Sequence, residues 1–407
     1  MRKILEGVVV LDLTRFFSGP QATLLLAGLG AEVVKIDAPS TGDPTAFAPP
    51  FAGPNGVSFE RRSDQDMGLA YLKRQRGKKS TTLDLKSARG REIFLRMVAH
   101  ADVVVENFSA GVAERLGIGY PQLRQANPAI IHCGISGYGA TGPDRDMKAY
   151  DLMVQAAVGM MSITGTPEVG PTKAGTPLSD AISGTFAALG IVSALYHRTQ
   201  TGQGQSVDVS MADSLFSLLF DEPLDCYGRL GLAAQQGNRI MRFSPFNTYR
   251  TADGWVTIGC ATDAEWVALI ATVGGPPVPQ FDKVSGRLAD NAGVDRLVGA
   301  WTCTLTSAEV QRKLDEARVP CSPVRGIDDV LTWRQLRERE MIVALVNPLM
   351  GRAVEASGPG FPLKFSGAPA GYDRPSPVPG AHTAEILARL AEISPEALEQ
   401  LKREGIV

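Results

Sequence analysis

The sequence predicts an α/β protein, and three observations carry that reading. A continuous apolar run, GVVVLDL at 7–13, is bounded by polar residues, and AEVVKID at 31–37, ADVVVENF at 101–108 and AIIHCGISGYG at 129–139 are further strand-like segments. Runs of this kind read as strands buried on both faces of a parallel sheet. They alternate with stretches of helical spacing, which makes βαβ units. From about Asp221 the character shifts to hairpin signals and amphipathic helices, a separate α+β domain. The expected division is 1–222 for a large α/β domain, 223–326 for a small α+β domain, and 327–407 for a linker and C-terminal segment.

The chain of 407 residues, 44% hydrophobic and 21% charged, can bury a large core and make two domains of about 100–200 residues each. A net charge of −2 gives no field favouring nucleic acid or a membrane surface. The opening MRKILEGVVVLDL enters a strand pattern without a cleavable apolar region. The most apolar stretch, Thr185 to Tyr196, is shorter than a bilayer crossing and contains Gly190. The expectation is a cytoplasmic protein with no membrane or nucleic-acid partner. Cys133, Cys226, Cys260, Cys303 and Cys321 show no CxxC and read as free thiols of a reducing compartment. His100, His132, His197 and His382 lack ligand spacing, so no metal site is expected.

In order, the first strand leads through the loop TRFFSGP into a helix over QATLLLAGLG, ended by Gly28 and Gly30. Asp37 closes the second strand, as in dinucleotide folds. The first turn, however, reads Ser18-Gly19-Pro20 and carries no GxGxxG, which argues against a bound nicotinamide cofactor. Residues 39–68 read as a long loop. Lys73, Arg74, Arg76, Lys78 and Lys79 form a basic cluster, either a solvated surface or a phosphate-binding face. A second α/β repeat follows: a strand over TTLDL (81–85), then a helix from Ala88 capped by Ser87. Ligands of open α/β sheets bind beyond the carboxyl ends of strands. That rule places Arg15 to Phe17, Leu85 to Lys86, Asn107 to Phe108 and Ser136 to Gly139 on one rim. DLMVQAAVGMMSITG is helical. Asp253-Gly254 between two strand-like runs signals a hairpin, TSAEVQRKLDEA is an amphipathic helix, and Ser394-Pro395 opens the last helix.

The stretch AGTPLSDAISGTFAAL (174–189) sets one carboxylate, Asp180, among small residues ahead of a long helix. Asp180 is either a helix cap or a carboxylate kept ionised by helix N–H groups and open to a substrate.

The sequence resembles the class III coenzyme A transferases, the family of formyl-CoA transferase and carnitine CoA-transferase. The likeness lies in VLDLTRFFSGPQATLLLAGLGAEVVKIDAPSTGD, RGKKSTTLDLKSARGREIFLRMVAHADVVVENFSAGVAERLG, GYGATGP, AYDLMVQAAVG, TGQGQSVDVSM and AHTAEIL, in that order over nearly the whole chain. The resemblance implies a large Rossmann-like domain made from the N-terminal half plus the C-terminal tail. It also implies a smaller inserted domain and an interlocked homodimer. It implies acyl-CoA and a carboxylic acid as substrates, with no tightly bound cofactor. By the same resemblance Asp180 matches the nucleophilic aspartate, and Tyr150 and Asp151 an active-site pair. Arg15, Phe16, Leu83, Leu85, Lys86, Asn107, Phe108, Arg115 and Lys148 match positions that contact CoA. Ala38 stands where some members carry an arginine on the adenine, and Phe17 where formyl-CoA transferase has a catalytically relevant glutamine. IMRFSPF (240–246) lacks that enzyme's glycine-rich flap. These departures argue against formyl-CoA and oxalate as substrates.

The expected chemistry is CoA transfer, with succinyl-CoA one candidate donor, through an aspartyl anhydride and an aspartyl-CoA thioester. A carboxylate nucleophile conserves acyl activation and needs no ATP or metal. Ser183 and Gly184 are expected to let the thioester approach the helix start, and Arg15, Lys86, Arg115 and Lys148 to pair with CoA phosphates. Arg239, Arg242 and Arg62 are candidates for a second carboxylate of the acceptor. The alternative within the superfamily is a 2-methylacyl-CoA racemase. Such enzymes carry His-Asp where this chain has Tyr150-Asp151, and a tyrosine of ordinary pKa, ~10, is a poor base. A non-catalytic CoA-binding scaffold needs no Asp180.

Overall fold

Six strands form one parallel sheet: β1 (Val9–Asp12), β2 (Glu32–Asp37), β3 (Lys79–Thr82), β4 (Val103–Glu106), β5 (Ile131–Ser136) and β6 (Ser206–Ser210). The computed structural model that shows them describes residues 1–219, 222–275 and 278–407. The spatial order is β3-β2-β1-β4-β5-β6, every neighbouring pair parallel. The order reverses between β1 and β4, and the crevice beyond the carboxyl ends of those two strands is where such sheets bind ligands. β3 ends at Thr82, earlier than the 81–85 run expected, so Leu83 and Leu85 lie past its end.

The chain packs as two compact units. One comprises Met1–Gly159, Ala174–Glu222 and Arg334–Val407, the other Met160–Lys173 and Pro223–Trp333. The division differs in two places from the boundaries expected at 222/223 and 326/327. Residues 160–173 belong to the smaller unit, where Gln235 Nε2 donates to the carbonyls of Thr164 (3.1 Å) and Gly170 (3.0 Å). The later boundary falls between Trp333 and Arg334. The helix expected over DLMVQAAVGMMSITG is accordingly two pieces, Asp151–Ala157 and Met160–Ile163, broken at Gly159 with φ +93°.

In the larger unit the helices are α1 (Ser18–Gly28), α2 (Leu69–Arg74), α3 (Ala88–Val98), α4 (Val112–Arg115), α5 (Tyr120–Ala126), α6 (Asp151–Ala157), α7 (Leu178–Thr201) and α8 (Met211–Leu219). The α3 helix starts as its sequence dictates, with Gly90 N donating to the Ser87 hydroxyl at 2.9 Å. Its apolar side, Ile93, Phe94 and Met97, packs with Ile386, Leu387, Leu390 and Leu401 of the C-terminal helices Thr383–Ala391 and Pro395–Arg403. By length and composition α7 is long and apolar enough to cross a bilayer, which corrects the expectation that no segment qualifies. In the unit it buries Ser183, Ala187, Ile191 and Ala194.

The segment 39–68, expected to be loop, carries strands, and so does the C-terminal segment. Phe51–Gly53 pairs antiparallel with Gly56–Ser58 and Met67–Gly68, and Ile342–Asn347 pairs with Arg352–Pro359. Ala52, Met67, Tyr71, Leu72 and Leu345 give these pieces a shared core. The basic cluster is likewise not one surface. Lys78 is 0% exposed, and its Nζ donates to Asp12 Oδ2 at 3.0 Å, Thr23 Oγ1 at 2.7 Å and Gln75 Oε1 at 2.7 Å. Lys35, also sealed, donates to Asp37 at 2.8 Å and to the Thr14 carbonyl at 2.6 Å. Lys79 pairs on the surface with Glu32 at 2.9 Å and with Glu385.

The smaller unit contains the expected hairpin, Phe246–Arg250 with Trp255–Gly259, and Cys321–Pro323 adds a third antiparallel strand. Capping boxes open two of its helices, Thr262 with Glu265 and Thr306 with Glu309. Tyr249, Val256, Ile258, Trp266, Leu269, Val298 and Leu314 form its core. All five cysteines are free.

Candidate active site

Asp180 stands in the first turn of α7, but it is not the cap. Pro177 holds the cap position, and the capping carboxylate comes from another helix. Asp151 Oδ1, in the first turn of α6, accepts from Ser179 N at 2.8 Å, Ser179 Oγ at 2.7 Å and Asp180 N at 3.4 Å. Its Oδ2 accepts from Gln155 Nε2 at 2.6 Å. Gln155 Oε1 in turn accepts from Ala174 N at 2.9 Å, which ties down the segment leading into α7. Asp151 thus performs the capping task that local sequence assigned to Asp180, and both its oxygens are committed.

The Asp180 carboxylate is left to face the start of α1, where the Ser18 N–H and hydroxyl favour its anion. Helix N-termini carry free N–H groups and a partial positive charge, so two of them beside one carboxylate favour its anion. The approach of the helices depends on Gly184. A Cβ there would lie 2.5 Å from the Ser18 carbonyl oxygen and 2.9 Å from Gln21 Cβ. Ser183 is buried, with its hydroxyl turned back to the Ser179 carbonyl. These small residues let α7 pack closely on α1.

Burial and, next, the Asp151 charge push the Asp180 carboxyl up to about 6; the Ser18 N–H, the Arg74 guanidinium and the Ser18 hydroxyl oppose the rise. At neutral pH about nine-tenths of such a group is ionised. It is a more basic carboxylate than an ordinary aspartate, yet still charged.

The loop from β1 to α1 supplies one wall. Phe16 has φ +65°, a left-handed conformation costly for a bulky side chain. Four hydrogen bonds from three side chains hold the turn. Lys35 donates to Thr14 O. Asn107 Oδ1 accepts from Arg15 N and its Nδ2 donates to Arg15 O, both at 2.8 Å. Arg74 Nη1 donates to Phe16 O at 2.8 Å. The Phe16 ring meets Tyr150 edge-on, centroids 6.3 Å apart, and Tyr150 is 66% exposed.

A cleft of about 380 Å³ opens here, with Phe16, Ser18, Asn107, Phe108, Lys148, Tyr150 and Asp180 among its lining residues. A second chamber of about 400 Å³ shares Phe108, Ser109, Ser136 and Arg145 with it and adds Arg115, Tyr120 and His132. The expected site residues thus divide. Asp180, Tyr150, Phe16, Asn107, Phe108 and Lys148 come together, and Arg115 stands in the adjoining chamber. Asp151 acts from behind, and Arg15 is held by its backbone. Leu83 is 1% exposed inside the core, Leu85 packs against that core, and Lys86 is exposed with its N–H on Asp84. None of those three lines the cleft. In the smaller unit Arg239 is engaged by Asp295, with Nε and Nη2 at 2.9 and 2.6 Å. Sequence reasoning missed Ser18 and Arg74 as members of the site. The signal for Ser18 was its place in the first turn after β1; Arg74 was hidden in a run of charges. Among the described residues no cluster of His, Cys, Asp and Glu has the makings of a metal site.

The sequence profile of CoA-transferase family III matches residues 5–383. The chain belongs to that family. It is an enzyme, a class III CoA-transferase, and enzymes of this family take CoA thioesters as substrates. Among its relatives is acetyl-CoA:oxalate CoA-transferase of Acetobacter aceti, 37% identical and covering 92% of both chains. Succinyl-CoA–D-citramalate CoA-transferase of Chloroflexus aurantiacus is 32% identical over 99% of this chain and 98% of its own. A CAIB/BAIF family protein from Brucella suis superposes with a TM-score of 0.82 at 30% identity, covering 96% of this chain and all of that one (100%). The family relatives include transferases named for succinyl-CoA and for other acyl-CoAs.

Proposed function

We propose that this enzyme moves CoA from an acyl-CoA to a free carboxylic acid with Asp180 as the nucleophile. The observation that carries the reading is Asp180 itself. It is a carboxylate excused from capping its own helix, aimed at a second helix N-terminus, and open on a cleft large enough for part of a thioester ligand. Its oxygen attacks the thioester carbonyl and expels CoA thiolate, giving a mixed anhydride. The thiolate attacks the Asp180 carbonyl of that anhydride and releases the donor acid, leaving an aspartyl-CoA thioester. The acceptor carboxylate attacks the same carbonyl and expels the thiolate, which then takes the acceptor acyl group and frees Asp180. No proton is gained or lost over the cycle, so no general base is required. Oxyanions arise at each addition, and the α1 and α7 N-termini supply positive potential for them.

Phe16, Asn107, Phe108 and Lys148 receive the CoA arm in this reading, and Arg115 and Lys148 meet its phosphates. The two units correspond to a large and a small domain, the protein acts as a homodimer in the cytoplasm, and no cofactor stays bound. Relatives named for succinyl-CoA support it as one donor, with a small dicarboxylic acid as acceptor. The relative named for oxalate, at 37% identity, removes the ground for setting oxalate aside. A donor-by-acceptor screen, read by chromatography of the CoA esters, tests the reading. Transfer to at least one acid, abolished in Asp180→Ala, is expected. Exchange of an α-hydrogen in deuterated water without transfer would establish the racemase in its place.

A further inference from the structure

The side chain nearest the nucleophile that sequence reading left in a surface cluster is Arg74, the last residue of α2. It does three things at once. Its Nη1 donates to the carbonyl of Phe16, the residue with φ +65°. Its guanidinium carbon lies over the Phe17 ring, 3.9 Å from the centroid. Its charge acts on Asp180. Burial pulls the Arg74 pKa down, and the nearby Asp180 and Asp43 carboxylates oppose that pull.

Resting on the reading of Asp180 as the nucleophile, we propose that Arg74 is a positioning residue for CoA transfer: it fixes the Phe16–Phe17 turn against Asp180 and supplies the cation beside that carboxylate. The turn needs such a hold. A left-handed phenylalanine persists only where its surroundings over-determine it. Lys35 and Asn107 pin Thr14 and Arg15, and Arg74 alone among these groups reaches Phe16 and Phe17. The next residue, Ser18, carries the N–H and hydroxyl that favour the Asp180 anion. A shift of the turn therefore moves the donors of the nucleophile directly.

The charge role follows from what faces Asp180. From α6 comes the Asp151 carboxylate and from α1 the neutral Ser18. Arg145, Lys148 and Tyr150 line the cleft, and Arg74 comes from the end of α2. Of the cations, Arg74 is the one whose charge opposes that of Asp151 at the carboxylate. Only a guanidinium combines the two roles. It stays charged when half-buried, it is planar enough to lie over Phe17, and it has donors left over for a carbonyl. A lysine keeps the charge and loses the planar group.

The test is the pH dependence of kcat and KM for wild type, Arg74→Gln and Arg74→Lys, each checked for folding by its thermal midpoint. Arg74→Gln is expected to move the acid limb of kcat upward by about one pH unit, because the anion loses its cation. Arg74→Lys is expected to keep the acid limb in place while kcat falls about tenfold from the loosened turn. Both should still form a CoA adduct on Asp180. A folded Arg74→Gln with the wild-type acid limb and kcat overturns the proposal. Should Arg74→Gln not fold, Arg74→Lys with wild-type kcat overturns it. Absence of the adduct from the wild type removes Asp180 as nucleophile, and with it the parent reading, a result distinct from either.

Discussion

Two groups of acids lie near the carboxyl end of the same sheet, and they have opposite fates. Under β1–β3, Asp12, Asp37 and Asp43 are sealed with Lys35 and Lys78. Burial alone raises the Asp12 pKa, but the Lys78 and Lys35 ammonium groups and the Thr14 and Thr23 hydroxyls outweigh it and hold it below the ordinary value. At the cleft, Asp180 and Asp151 face each other without a lysine between them, and Asp180 is pushed up to about 6. Of the sealed acids, Asp12 is held low by Lys78 and Lys35, whereas burial still raises the Asp37 pKa against its Lys35 partner; none of them lines the cleft, and they become structure. The open pair has excess negative charge beside a cavity, which makes one member a better base and nucleophile. Asp37 is raised as Asp180 is, so the difference between a structural and a reactive carboxylate here is access: Asp12, Asp37 and Asp43 are sealed, whereas Asp180 lines the cleft.

The largest effect that sharpens this contrast is expected from Asp180→Asn. It keeps size and packing but removes the nucleophile, so transfer should drop by about 10³-fold or more with little change in thermal midpoint. Lys78→Met is the counterpart on the sealed side. It leaves Asp12 buried without its cation and should lower unfolding free energy by about 3–5 kcal/mol, read by denaturant titration. A comparable loss of stability in both variants would erase the distinction.

The two regions should also separate along the pH axis. Asp180 must be ionised to attack, so kcat should fall about tenfold per unit as pH drops below about 6. The Asp12 contribution to stability has the other position. Its folded pKa is depressed, so that stability is present above the unfolded carboxylate value and is lost only as pH falls through the lower folded one. Activity should therefore fail while far-ultraviolet circular dichroism is still native. A smaller effect is expected from Asp151→Asn. The amide oxygen can still accept from Ser179, but the negative charge is gone, so the acid limb should move below its wild-type position. An upward move would mean that Asp151 supports the Asp180 anion rather than opposing it.

Much of the scaffold is legible in the sequence, because β1 and β4 hold short apolar runs, β2 and β5 are mostly apolar and bounded by turns, and Ser87 and Ser394 are recognisable caps. Strands of two or three residues, such as Met67–Gly68, show no periodicity and were read as loop. The site was half legible. Asp180 stood out by its small neighbours, but its cap arrives from Asp151, 29 positions away. Charge runs were the least readable feature. Lys78 finds Asp12 across 66 positions, and no local pattern distinguishes it from the solvent-facing lysine beside it. Arg74 was misread for the same reason.

The central claim is that Asp180 becomes covalently attached to CoA during turnover. Wild-type enzyme incubated with its acyl-CoA, acid-quenched and digested, should yield a peptide containing Asp180 heavier by CoA less one water, labile to hydroxylamine. Asp180→Asn should yield none. A wild-type enzyme that turns over with the CoA adduct on a different residue, or an Asp180→Asn variant that transfers CoA at the wild-type rate, would contradict the account.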